Sequence, residues 1–150
     1  MALSRLSMIT LGFADLQPST AFHRAVFGVA PNDRNEGVVF FELPGTWVAL
    51  YPLDKLAKDI SPDLLPERGP FSGVTLAHNA RSKEQVVAIF DQARAAGARI
   101  VKPPQDTFWG GFSGYFAAPD GHYWEVAWGP MFDFAPGTLR FKPEAAASAA

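Results

Sequence analysis

Apolar and polar residues alternate from Met8 to Phe13, with Ile9, Leu11 and Phe13 on one side and Thr10 and Gly12 on the other. That period of two is the mark of a strand with one buried face. Asp15 suits a helix N-cap and Pro18 and Ser19 a first turn, since a carboxylate there accepts from amides that have no partner inside the helix. Phe22, Ala25 and Val26 supply the apolar stripe of this helix, and Gly28 ends it. Val38 to Leu43 and Trp47 to Tyr51 read as a hairpin around Pro44-Gly45.

From Pro52 to Pro70 the chain turns to Asp, Lys and Pro, with only a short helix from Asp54 to Ile60. The order then repeats. Ser72 to His78 reads as a strand, and Ser82 with Gln85 three residues on forms a capping box. Val86, Ile89, Phe90 and Ala93 make the stripe of a second helix, closed by Gly97. Arg99 to Lys102, Gly114 to Ala117 and His122 to Trp128 supply three more strands. The matching strand of the first half is weak and falls near Val29 to Asn32.

The repetition extends to sequence. Met8 to Asp15 is echoed by Gly73 to Ala80, and Trp47 to Pro52 by Tyr123 to Trp128. A period near half the chain points to a duplicated module that buries its face against its twin. The expected organisation is a first module over 1–52, a linker over 53–70, a second module over 71–130 and an extension over 131–150. The fold class is α+β.

The chain has 150 residues, enough for one core, and 48% of them are hydrophobic. A net charge of -2 without a basic stripe argues against nucleic acid, and no apolar run is long enough to span a bilayer. There is no cysteine, which excludes disulfides, thiolate metal sites and a cysteine nucleophile. The start does not read as a signal peptide, so a cytoplasmic protein is expected.

With the duplicated halves, the Ala14-Asp15-Leu16 helix entry and the ending Ala118-Pro119-Asp120-Gly121-His122-Tyr123-Trp124-Glu125-Val126, the chain resembles the vicinal oxygen chelate superfamily over about 5–130. Glyoxalase I, extradiol dioxygenases and bleomycin-resistance proteins belong to that superfamily. The resemblance implies two βαβββ modules forming a curved mixed sheet around a central cleft. It also implies, in the metalloenzymes, a divalent metal held from the first and last strand of each module. Carried across, those positions are Met8 and Gly73 on the first strands and Ala49 and Glu125 on the last. Only Glu125 is a conventional ligand, so no cofactor is expected and a divalent metal is disfavoured.

Alternation from these positions turns Met8, Thr10, Gly12, Trp47, Ala49, Tyr51, Gly73, Thr75, Ala77, Tyr123, Glu125 and Ala127 toward the cleft. It turns Ile9, Leu11, Phe13, Val74, Leu76, Trp124 and Val126 under the helices. Thr10, Trp47, Tyr51, Thr75, Tyr123 and Glu125 thus line an aromatic cleft with few polar anchors, the character of a small-molecule pocket. In the loop Asp106 to Phe112, Phe108 and Trp109 either stack on a planar ligand as a lid or plug the module's open end or a dimer contact. Glu125 is a general base, a ligand anchor or a relic.

His78 falls on the helix-facing parity and reads as packing or capping; His23, beside Phe22 on the first helix, reads as exposed. The expected function is a metal-free protein that binds a planar or apolar organic molecule, of sequestering or resistance type, in a homodimer with the segment after Gly129 at the interface. The alternative is a glyoxalase-like lyase or isomerase, or a dioxygenase, using a metal on substitute ligands such as His78 or using Glu125 as general base. A module whose cleft is filled by its own side chains is the third reading.

Overall fold

The computed structural model describes residues 3–134 and 138–143. Strand β1 (Met8–Phe13) leads into helix α1 (Leu16–Phe27), followed by β2 (Val39–Phe41) and β3 (Trp47–Pro52). Asp15 caps α1 by accepting from the Gln17 amide at 3.1 Å, and Gly28 closes it at φ +66°, a conformation costly for any residue with a Cβ. Helix α2 (Leu53–Ile60) follows directly.

The second module has β4 (Leu76–Asn79), α3 (Lys83–Ala95), β5 (Arg99–Asp106), β6 (Phe112–Ala117) and β7 (Tyr123–Trp128). Ser82 caps α3 by accepting from the Gln85 amide, while the Gln85 side chain accepts from the Arg81 amide one residue ahead of the cap. A small hairpin of β8 (Phe132–Asp133) and β9 (Arg140–Phe141) ends the described chain.

Both modules pair their first strand parallel to their last. The strand orders are β1-β3-β2 and β4-β7-β6-β5, which is the expected α+β duplication with mixed sheets. The missing strand of the first module survives as a single bridge between Asn32 and Phe40. In the second module it is β5, an edge strand that tolerates Pro103 and Pro104 because its outer amides have no ladder to complete. The register of β5 on β6 shifts around those prolines, and Gly114 lies beneath: a Cβ there would stand 2.5 Å from the Lys102 carbonyl oxygen.

The two modules share one core. Ile9, Leu11, Phe13, Leu76, Trp124 and Val126 all enter it, as the alternation predicted. Helices α1 and α3 pack together over it, with Phe22 against Phe116 and Phe27 edge-on to Trp124.

Several expectations are corrected. The strand drawn from Ser72 begins only at Leu76, so Val74 is 59% exposed instead of packed under a helix. On α1 the buried residues are Ser19, Phe22 and His23, and Ala25 is exposed; the stripe is rotated by most of a residue because both modules press on the His23 side. His23 is therefore fully buried, ringed by Phe13, Phe22, Phe27, Phe41 and Trp124. Phe132 stacks on Phe141, and Arg81 lies over Phe134, so these late aromatics have partners within the chain.

Candidate functional site

Glu125 is the centre of the site. It sits on β7 between two neighbouring strands, opposite Ala77 on β4 and opposite Tyr115 on β6. Side chains on one face of directly opposed strand positions meet. Tyr115 is thus the cross-strand neighbour of the Glu125 carboxylate, and partial burial together with that nearby negative charge pushes the phenol's pKa up, so it stays protonated. Tyr123 lies two residues from Glu125 and shares its face, in edge contact with Phe71 at the start of the second module. Tyr115 was missing from the sequence reading. The Pro119-Asp120-Gly121 turn would have revealed it, because the hairpin pairs Ala117 with Tyr123 and hence Tyr115 with Glu125.

In the first module Thr10 is opposite Ala49, Met8 opposite Trp47 and Gly12 opposite Tyr51. Met8, Thr10 and Trp47 are exposed, but the far end of this face is covered. A Cβ on Gly12 would stand 2.6 Å from Leu53 Cδ1, and α2 packs on both β1 and β3 while Ala49 is buried. The chain's own helix thus fills part of the predicted cleft. Among the described residues no hydrogen bond or ring contact joins Thr10, Trp47 or Tyr51 to the Tyr115–Glu125–Tyr123 group.

The registers also revise the carried-over ligand positions. Ala49 faces Thr10, five residues before the cap Asp15; Glu125 faces Ala77, five before the cap Ser82. Thr10 therefore matches Ala77, and Met8 matches Thr75 instead of Gly73. Gly73 itself lies ahead of the strand at φ +82°. The face is unchanged because the slip is of two residues. The set becomes Met8, Ala49, Thr75 and Glu125, a thioether, a methyl, a hydroxyl and one carboxylate, which does not suit a catalytic divalent ion.

His78 cannot join that set. Its partner is Val126, so it shares the parity opposite to Glu125, where partial covering lowers its pKa. Trp109 lies against Gly111, whose added Cβ would run into the indole, and near Gly129; the neighbouring Phe108 is fully exposed. Thr107 closes this loop by accepting from the Gly110 amide with its carbonyl and from the Gly111 amide with its hydroxyl.

Two concavities lie away from Glu125. A groove of about 660 Å³ runs along α1, lined by Leu16, Thr20, Arg24, Pro31, Asp33 and Val39. It is larger than the second but more open, and its lining mixes Gln17, Thr20, Arg24 and Asp33 with apolar residues. The second, of about 220 Å³, lies where the linker meets the turn before β7.

The profile of the Glyoxalase/Bleomycin resistance protein/Dioxygenase superfamily matches residues 5–126. The chain belongs to this superfamily. A glyoxalase-related enzyme from Fulvimarina pelagi is 33% identical with a TM-score of 0.83, over 94% of this chain and 100% of that one. A superfamily protein from Nocardioides is 26% identical with a TM-score of 0.71, over 85% of each chain. The fosfomycin resistance protein of Listeria monocytogenes, solved with Mn(II) and sulfate, is 27% identical with a TM-score of 0.63, over 85% of this chain and 92% of that one. A search of curated proteins finds no match. Superfamily membership accounts for the shared topology of the two modules.

Proposed function

We propose that this member of the superfamily binds a small planar or apolar organic molecule without a metal, against the face that carries Tyr115, Tyr123 and Glu125. The observation that supports this most is the cross-strand pairing of Tyr115 with Glu125, which sets a lone carboxylate beside a phenol in aromatic surroundings. Thr10, Trp47 and Tyr51 on the first module, with Thr75 and Trp109 at the margins, complete the lining in this reading. Because Thr10 and Trp47 are exposed and untouched by the Glu125 group, the proposal includes a homodimer that closes the cleft, in a cytoplasmic protein of sequestering or resistance type. No helix among the described residues is long and apolar enough to cross a membrane.

One observation favours the enzymatic alternative. A metal-free reaction with Glu125 as general base needs a donor for the developing oxyanion, and the Tyr115 phenol stands beside it. Glu125→Gln separates the two readings because it keeps shape and hydrogen bonding while removing the charge. The binding reading expects weaker affinity for cationic or donor-rich aromatic ligands and no turnover to lose. Loss of turnover by about a hundredfold with affinity intact would make Glu125 a base and this chain an enzyme.

A further inference from the structure

We infer that the notch between the linker and the turn before β7 binds an oxyanion group, a phosphate, phosphonate or carboxylate borne by a small molecule. Its walls are Arg68 of the linker, Ser72 just after it, Arg99 at the start of β5, and Gly121, His122 and Tyr123. At about 220 Å³ it is smaller than the roughly 300–1,000 Å³ that hold whole drug-sized ligands, so it accepts one group of a ligand or a free anion.

The charges in it are unbalanced. Two arginines from separate elements line the notch, and among the described residues neither has a carboxylate within ion-pair distance. Guanidinium cannot deprotonate, so both keep their positive charge at any working pH. The nearest acid is Asp120, whose carboxylate is 2% exposed and is turned inward to accept from the His122 amide at 2.8 Å. It tempers the positive charge without entering the notch.

Arg68 is held in place by neutral partners. It donates to the Asp120 carbonyl, and its Nη1 stands 3.1 Å from His122 Nδ1 and 3.0 Å from Nε2, which puts the guanidinium across the imidazole face. His122 Nε2 is itself 3.0 Å from the Gly12 carbonyl, the one acceptor there that requires its proton, so the ring is anchored to β1. The guanidinium is thus positioned beforehand and retains free N–H groups. Arg99, Ser72 and Tyr123 line the same small space and carry further donors, a set suited to oxyanion recognition. The site does not depend on what Glu125 does.

The test is calorimetric titration of the full chain with inorganic phosphate, and separately with acetate, at constant ionic strength balanced by chloride. Amide spectra are recorded on the same samples. A saturable transition with one anion per chain, and shifts concentrated at Ser72, Gly121 and Tyr123, is expected. Whichever anion binds more tightly names the class. Arg99→Gln should weaken binding at least tenfold, and Arg99→Lys less. Arg68→Gln also removes the contact to the Asp120 carbonyl, so Arg99→Gln, with its melting temperature checked, is the deciding variant. A response that never saturates, or equal affinity in Arg99→Gln, overturns the site.

Discussion

Tyr115 and Glu125 are direct partners across the β6–β7 ladder, and the carboxylate raises the pKa of the phenol. Covering of the ring is the larger cause, and the neighbouring Glu125 carboxylate adds to it. In Glu125→Gln the charge contribution is removed while burial stays, so spectrophotometric titration should find Tyr115 ionising at lower pH than in the native chain, nearer the usual 10.0. An unchanged titration curve would mean that the two side chains do not meet in solution.

Replacing Tyr115 by Phe would remove the donor and keep the ring. If Glu125 anchors a ligand, this variant should bind a donor-rich ligand as well as the native chain or better, because the carboxylate is released from its internal partner. A base that depends on the phenol for oxyanion stabilisation would instead lose turnover by about tenfold to a hundredfold. Steady-state kinetics and equilibrium binding on the one variant distinguish these outcomes.

Metal dependence can be tested without knowing the ligand. Met8, Ala49 and Thr75 leave Glu125 without companion donors, so the protein purified without added metal should hold no stoichiometric divalent ion. Chelation should leave its melting temperature unchanged. One tightly held ion per chain, measured by elemental analysis, would count against the proposal.

His23 makes stability depend on pH. Burial lowers its pKa below the ordinary 6.5, partly opposed by the bond from Nδ1 to the Ser19 carbonyl at 2.8 Å and by the Asp120 charge; neighbouring His122 adds to the lowering. The folded state therefore keeps the ring neutral where the unfolded chain already binds a proton. Stability is complete above the unfolded value of 6.5 and falls as pH drops from there toward the folded pKa. His78 and His122, also lowered, act in the same direction. Melting temperatures should decline below neutrality, and His23→Phe should flatten that decline.

Gly114 tests the packing of the second sheet. A Cβ at this position would press on the Lys102 carbonyl oxygen, the Phe90 ring at 2.7 Å and the Pro104 nitrogen at 2.8 Å, two of them backbone atoms that cannot swing away. Gly114→Ala should cost about 1–3 kcal/mol in chemical denaturation. A variant as stable as the native chain would show that the irregular stretch of β5 can shift outward.

The sequence by itself determined the duplication, the helix caps and the faces of the central strands. Each is written in local chemistry: Asp15 and Ser82 satisfy free amides, and a strand shifted by one residue would expose its whole apolar set. A shift of two residues exposes nothing, so the pattern was blind to it, and only the pairing of Ala77 with Glu125 moved the matching position from Gly73 to Thr75. Tyr115 became visible by the same cross-strand route, since a partner ten residues away in sequence is set by the turn between them. His23 was misplaced because a helix pattern cannot tell which side two modules will both press, and a polar residue there enters the core once surrounding rings and the Ser19 carbonyl receive it. The covering of Gly12 by Leu53 and the gathering of Arg68 and Arg99 around one notch were likewise decided by tertiary structure. These contacts join segments whose local sequences carry no record of one another, and packing of the whole chain is what brings them together.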